Sequence, residues 1–240
     1  MTHVQRKGSL HDSLVETLGT AIVHGTHPVG SRLVTSEVAD AEGASRTAAR
    51  EAVRVLESLG LVQVRRKSGI EVRPESEWNE YAPEVIAWRL SGAGRETQLG
   101  HLGALRGAVE PLAASLAAGR ASEEERQTLV AAVMEMARTE HDADGAHYLA
   151  ADVRFHRTML RASGNPMLAA LGDVVESVLV GRTRHALMPH DANPDAVRWH
   201  QDAAFAIVAG RSDDAAAALR RIVAEADAAL RAESAEQASP

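Results

Sequence analysis

The 240-residue chain contains no cysteine, which excludes disulfides, thiolate zinc sites and cysteine nucleophiles together. Aromatic residues make up only 3%, and the abundant alanine and leucine favour helices over sheets. No apolar run approaches the roughly 18 residues that a membrane span requires. The segment Met1-Thr2-His3-Val4-Gln5-Arg6-Lys7 lacks the apolar core of a secretory signal, so cytoplasmic residence is the expectation. No Gly-rich phosphate loop, nucleophile elbow or HExxH motif occurs either.

What is present is a globular balance, 45% hydrophobic and 25% charged, in a length that suits two modest domains or one large one. The net charge of −7 is unevenly spread. Residues 1–73 hold ten basic and eight acidic side chains, whereas the remainder holds 16 basic and 25 acidic. A polyanion would therefore dock at the N-terminal end.

Leu10, Leu14, Leu18, Ala21 and Ile22 recur at helical spacing, which predicts an amphipathic helix over 9–24 ended by Gly25. After the turn Thr26-His27-Pro28-Val29-Gly30, Thr35 or Ser36 can cap a short helix to about Ala41, with a stop at Gly43. Ser45 caps a longer helix, Arg46 to Leu59, whose buried face is Ala49, Ala52, Val53, Leu56 and Leu59. In residues 61–73, Val62 and Val64, then Ile70 and Val72, alternate with polar residues around a basic turn, a hairpin signature. Two helices joined by a tight turn and followed by a basic hairpin predict a winged helix-turn-helix over residues 1–73.

Residues 74–97 read as a linker and interdomain segment with a weak helix from Ala82 to Leu90, and Trp78 and Trp88 as packing for the joint. Helical period then runs through about 98–119, 123–140, 144–163, 167–187, 194–210 and 212–233, with Pro111 expected to kink the first. The alanine-rich stretch from Ala215 to Ala229 reads as a closely packed final helix, and residues 234–240 as a frayed tail. The fold class is thus mainly α: an N-terminal winged helix-turn-helix with a small hairpin wing, then an all-α antiparallel bundle over 98–233.

Arg46, Arg50 and Arg54 are spaced by four and form one stripe opposite the apolar face of their helix. Arg46 and Thr47 fall in its first turn, the part of such a helix that meets base edges. Guanidinium groups pair in bidentate fashion with guanine or grip phosphates as a planar fork. Arg65, Arg66 and Lys67 at the wing tip would follow the backbone or the minor groove. Arg54 also has local acidic neighbours in Glu51 and Glu57, and an ordinary surface ion pair explains it better.

The run Ser45-Arg46-Thr47-Ala48-Ala49-Arg50-Glu51-Ala52-Val53-Arg54-Val55-Leu56-Glu57-Ser58-Leu59-Gly60-Leu61-Val62, with the earlier Ile22-Val23-His24-Gly25-Thr26-His27-Pro28-Val29-Gly30-Ser31-Arg32-Leu33, resembles the GntR family of bacterial repressors. The resemblance implies that Arg46, Thr47 and Arg50 contact a double-stranded operator and that Gly69 lets the wing approach the minor groove. Some relatives carry arginine where this chain has Ser36.

Asp152 and His156, four apart, share a helix face, from which they can hold a metal, orient a ligand or form a plain surface pair. Phe155-His156-Arg157 followed by Ser163-Gly164-Asn165-Pro166, with Trp199-His200 opening a later helix, resembles the effector domain of the FadR branch, called FCD. In that domain a helical bundle encloses a cavity whose metal is held by an acid and three histidines. Position by position, the resemblance implies Asp152, His156 and His200 as ligands of a divalent ion of the Zn, Ni or Mn type. It puts Ile222 where the third histidine belongs. His185 and His190 are surface candidates to replace it.

The same resemblance implies an effector set of Arg106, Asp152, His156, Asn165 and His200, with Arg106 as a clamp for a carboxylate. A buried Arg106–Glu110 ion pair is the alternative, and a helix-start cap the alternative for Asn165. Arg182 and Arg184 are weaker candidates for the cavity wall. The string Glu77-Trp78-Asn79-Glu80-Tyr81-Ala82-Pro83-Glu84-Val85-Ile86-Ala87-Trp88-Arg89 resembles regulators of sugar-acid use, the gluconate and galactonate group.

The function implied is a homodimeric, ligand-responsive DNA-binding repressor, released from a palindromic operator by a small carboxylate such as a sugar acid. A rival is a metal-dependent hydrolase using Asp152, His156 and His200, although no further glutamate or histidine stands where a general base is needed. A third possibility is an architectural DNA-binding protein without a ligand.

Overall fold

The computed structural model describes residues 10–65 and 69–237. The wing tip, with Arg66 and Lys67, and residues 238–240 lie outside the described residues. The chain divides into two compact units, Met1–Ala93 and Gly94–Pro240.

In the first unit, α1 (Leu10–Val23), α2 (Thr35–Ala41) and α3 (Arg46–Ser58) enclose a core of Leu14, Leu18, Ile22, Val38, Ala49, Ala52 and Leu56. Ser45 starts α3 because its side chain accepts a hydrogen bond from the Ala48 backbone N–H at 3.1 Å. Strands β2 (Val62–Arg65) and β3 (Gly69–Val72) form the expected antiparallel hairpin, with Val62 opposite Val72 and Val64 opposite Ile70. A third strand, β1 (Arg32–Leu33), pairs with the free side of β3 and was not anticipated, since two residues carry no readable alternation. The pairing depends on Gly69, whose φ is +82° and whose absent Cβ would stand 2.8 Å from the Leu33 carbonyl oxygen.

The segment after the wing folds back onto this unit. A 3₁₀ turn (Glu75–Glu77) leads into α4 (Pro83–Ser91), which packs on α1. Trp78 and Trp88, expected at an interdomain joint, are instead buried in the core of the N-terminal unit. The Trp78 indole donates to the Arg73 carbonyl at 3.1 Å and the Trp88 indole to Glu16 at 2.9 Å. Trp88 lies so close over Gly19 that a Cβ there would sit 2.3 Å from its ring.

The second unit has helices and no strand among its described residues: α5 (Arg95–Arg120), α6 (Glu123–Arg138), α7 (Ala146–Ala162), α8 (Pro166–Ala169), α9 (Gly172–Arg184), α10 (Pro194–Val208) and α11 (Ser212–Gln237). Helix α5 packs along α11, α10 lies against α11 and α6, and α7 lies against α6 and α9. Alanines at the contacts (Ala113, Ala114, Ala117, Ala203, Ala204, Ala215 and Ala218) let the helices approach closely around Phe155, Met159, Leu160 and Leu219. The single helix expected over 167–187 is two, because Asn165 caps a short α8 and the chain turns at Ala170 and Leu171 before α9. Helix α5 runs past Pro111, and α11 continues beyond residue 233 to Gln237.

Candidate functional site

Helix α3 presents two faces of opposite character. Ala49, Ala52, Val53 and Leu56 are buried, while Arg46, Thr47 and Arg50 are exposed. Neither Arg46 nor Arg50 makes a side-chain hydrogen bond or ion pair among the described residues. Their guanidinium groups therefore stand available on one side of the helix's first turns. Arg54 is different, since it is paired with Glu51 at 2.6 Å. Arg65 on β2 lies 2.9 Å from Glu71 on β3 and remains half-exposed.

The second unit holds a chain of buried charges. Arg106 and Glu110, one turn apart on α5, form a two-point ion pair at 2.8 and 3.3 Å. Glu110 also lies 3.1 Å from His156 Nδ1 on α7, close enough for an ionic contact although off the hydrogen-bonding line. On the other side of that imidazole, Nε2 is 3.3 Å from Asp152 Oδ1, and His200 Nε2 from α10 is 3.5 Å from the same oxygen. The His200 Nδ1 donates to the Ala196 carbonyl at 2.7 Å, which orients the ring with Nε2 toward Asp152. Phe155 wedges edge-on against both imidazoles, with centroids 5.2 Å apart in each case. Asp152 Oδ1, His156 Nε2 and His200 Nε2 are all buried and without a hydrogen-bond partner among the described residues.

These groups border a cavity of about 70 Å³, whose wall also includes Tyr148, Arg182, Asn193, Ile222 and Glu225. A single water needs roughly 10–15 Å³ on this scale, so the space accepts a small polar molecule. Arg182 on α9 is buried, and its Nε has no partner.

The charges hold one another in place. Burial pushes Glu110 up, but Arg106 and then His156 outweigh it and bring the carboxyl down to about 2. Burial pushes His156 down, but Glu110 and Asp152 raise it to about 9. Asp152 is held well below the usual carboxylate range, its burial outweighed by the two histidines. The Tyr148 hydroxyl is pushed up by burial and then by Asp152, so it stays protonated. Arg182 is lowered by burial first and by the charge of Arg106 second.

The structure thus brings together Arg106, Asp152, His156 and His200, with Ile222 in the same wall. It does not bring Asn165, whose Oδ1 accepts from the Met167 backbone N–H at 2.9 Å and which caps α8 away from the cavity. His185 ends α9, and His190 is exposed beside Asp144 at 2.9 Å, so neither joins the Asp152 cluster. Arg184 is exposed. Two contributors went unread in the sequence. One is the Glu110 carboxylate as a partner of His156; the other is Tyr148, four residues before Asp152 and eight before His156 on one face of α7.

Comparison with known proteins agrees with this layout. Residues 10–72 match the gntR family of bacterial regulatory proteins and residues 101–225 match the FCD domain. The chain belongs to the GntR family and carries an FCD domain. The galactonate operon transcriptional repressor of Escherichia coli (strain K12) is 30% identical over 207 residues, 85% of this chain and 89% of that protein. A probable D-xylose utilization operon transcriptional repressor from Paenarthrobacter nicotinovorans is 30% identical over 212 residues, 85% of this chain and 80% of that protein. Among solved structures, Lar, which controls expression of the Listeria monocytogenes agr system, shares the fold with a TM-score of 0.61 at 17% identity, over 95% of this chain and 99% of that one.

Proteins of the GntR family are DNA-binding regulators, so this chain is a transcription regulator and not an enzyme, and the hydrolase reading of Asp152, His156 and His200 falls. The α3 face lies within the span that matches the family's DNA-binding part, and the whole buried cluster lies within the FCD span. No helix among the described residues is long and apolar enough to cross a membrane.

Proposed function

We propose that this GntR regulator is a homodimeric repressor whose α3 helices read a palindromic duplex and whose helical unit binds a small carboxylate that releases it. Arg46, Thr47 and Arg50 would contact bases and phosphates from the first turns of α3, with Arg65, Arg66, Lys67 and Gly69 following the backbone from the wing. A sugar acid is the effector class favoured, in keeping with the galactonate operon repressor among the relatives.

The observation that carries the reading is the buried cluster itself. Asp152 Oδ1, His156 Nε2 and His200 Nε2 have no hydrogen-bond partner among the described residues, yet the two nitrogens stand 3.3 and 3.5 Å from that oxygen and all three atoms lie within 4.8 Å of one another. Interior polar atoms are rarely left so. Ligands of a tetrahedral ion at roughly 2.0–2.1 Å stand roughly 3.3–3.4 Å apart, so the donor set fits a divalent metal such as Zn, Ni or Mn. The outer contacts fit as well, because Glu110 backs His156 and the Ala196 carbonyl orients His200. Such an ion would present a Lewis-acid pole to a carboxylate oxygen. Ile222 gives no fourth protein ligand and leaves that position facing the cavity.

Binding of an effector in this unit would favour one arrangement of the DNA-reading heads over another, and the difference in affinity between the two arrangements is what releases the operator. The test is fluorescence anisotropy of the full chain on a duplex selected from a random library, with and without galactonate. Galactonate that weakens operator binding at least tenfold, while galactose does not, supports the reading. An operator affinity indifferent to every sugar acid tried sinks it.

A further inference from the structure

Of the basic side chains around the cavity, Arg182 alone has no acidic group within ion-pair distance among the described residues. Arg106 spends its Nε and one terminal nitrogen on the two oxygens of Glu110. His156 stands between Glu110 and Asp152, and Glu225 accepts from Asn193 Nδ2 at 3.1 Å. Arg182 is only 8% exposed, lines the cavity, and makes no hydrogen bond or ion pair among the described residues. Burial and then the nearby Arg106 disfavour its protonated form, and the more distant charges of Asp152 and Glu225 offset this only in part.

A guanidinium with its Nε fully buried, no hydrogen bond there and no counter-ion beside it is an unfavourable arrangement for a protein interior. Arginine has no ordinary escape through deprotonation. A side chain held so, with an open cavity beside it, is waiting for an anion. We propose that Arg182, rather than Arg106, is the anion-receiving residue of this cavity, and that its ligand is a small monoanionic carboxylate gripped by the guanidinium fork. The inference rests on the effector reading above and narrows it, because the clamp expected at Arg106 is already closed on Glu110.

The chemistry of the wall selects the class. Arg106 is closed on Glu110 and His156 stands beside Asp152, so Arg182 is the cation of the wall that no carboxylate touches; Glu225, the other acid there, bonds Asn193 instead, and one guanidinium fork takes one carboxylate. A planar two-oxygen acceptor matches the planar fork. The Tyr148 hydroxyl in the same wall stays protonated and offers a donor to a neighbouring hydroxyl, as in a hydroxy acid.

The experiment uses the full chain and four probes: acetate, galactonate, inorganic phosphate and neutral galactose. Calorimetry gives affinity and thermal shift gives the melting temperature of wild type, Arg182→Met and Arg182→Lys. Wild type is expected to bind galactonate and acetate and to ignore galactose. Arg182→Met should lose at least tenfold in carboxylate affinity while melting, without ligand, at or above the wild-type temperature, because an apolar side chain of similar length replaces a buried lone charge. Arg182→Lys keeps the charge, loses the fork, and should lose at least fivefold; it decides the matter if the methionine variant does not fold.

A wild type that binds carboxylates beside variants that bind them within twofold overturns the Arg182 assignment and leaves the effector reading standing. A wild type that answers to no carboxylate fails the effector reading itself, and Arg182 with it. Phosphate bound more tightly than either carboxylate overturns the monoanion class.

Discussion

Asp152 Oδ1 lies 3.3 Å from His156 Nε2, one helical turn along α7, and neither atom has a hydrogen-bond partner among the described residues. The spacing suits two ligands of one ion better than a finished pair. Metal-stripped protein is therefore expected to take up one equivalent of Zn(II), and Asp152→Asn or His200→Ala to lose at least tenfold in affinity, on the scale of lost ligand-shell contacts. Ile222→His supplies the missing imidazole and should tighten binding. Calorimetric titration of the stripped chain measures all four proteins, and wild type without saturable uptake of Zn, Ni or Mn ends the metal reading.

Glu110 and His156 give the metal-free unit a pH profile. A carboxyl lowered from 4.5 to about 2 contributes stability that is whole above pH 4.5 and is lost as pH falls toward 2. An imidazole raised from 6.5 to about 9 contributes stability that is whole below pH 6.5 and is lost as pH rises through 9. Both contributions are complete only between pH 4.5 and 6.5. Urea unfolding of the stripped chain should show its highest midpoint in that window, and His156→Gln should lose the alkaline decline. A wild-type midpoint that stays level from pH 6.5 to 9 contradicts the pairing.

What the sequence revealed follows the range of each interaction. The α3 arginine stripe and its Ser45 cap depend on neighbours three or four residues away and were legible, and the Arg106–Glu110 pair, equally local, stood as one of two readings of Arg106. The contact of Glu110 with His156 joins α5 to α7 across tertiary space, and no spacing announces it. Arg182 reads from the sequence only as a weak candidate for the wall, because being without a partner is a property of the packed cavity and not of its helix. The same holds for Trp88, whose fit over Gly19 decides that α4 belongs with the N-terminal unit, while the sequence nearby reads as a linker.

Two glycines separate conformational cost from collision. Gly60 has φ +79° and a Cβ there would meet the Glu77 carbonyl oxygen at 2.3 Å, whereas Gly25 has φ +78° and nothing within 4 Å. Gly25→Ala should cost only the left-handed penalty, about 1–2 kcal/mol. Gly60→Ala carries that penalty plus a backbone clash, and should cost about 3 kcal/mol or more in all. Chemical denaturation of the two variants checks the difference. Equal losses would mean that the chain at Glu77 yields freely.

Arg46 and Arg50 are exposed on α3 without partners among the described residues, while Arg54 on the same stripe is tied to Glu51. Replacing Arg46 or Arg50 with alanine should leave folding stability within about 0.5 kcal/mol, as for any surface change away from a structural contact. Operator binding should weaken by about 1–3 kcal/mol for each, the range of a lost base-edge contact. Arg54→Ala is the internal control and should change affinity by less than either. Anisotropy titrations at several salt concentrations separate two roles: a phosphate contact lowers the salt slope and weakens all duplexes alike, whereas a base contact relaxes discrimination at one operator position. If Arg46→Ala and Arg50→Ala both bind as tightly as wild type, the reading face lies elsewhere and α3 is not the recognition helix.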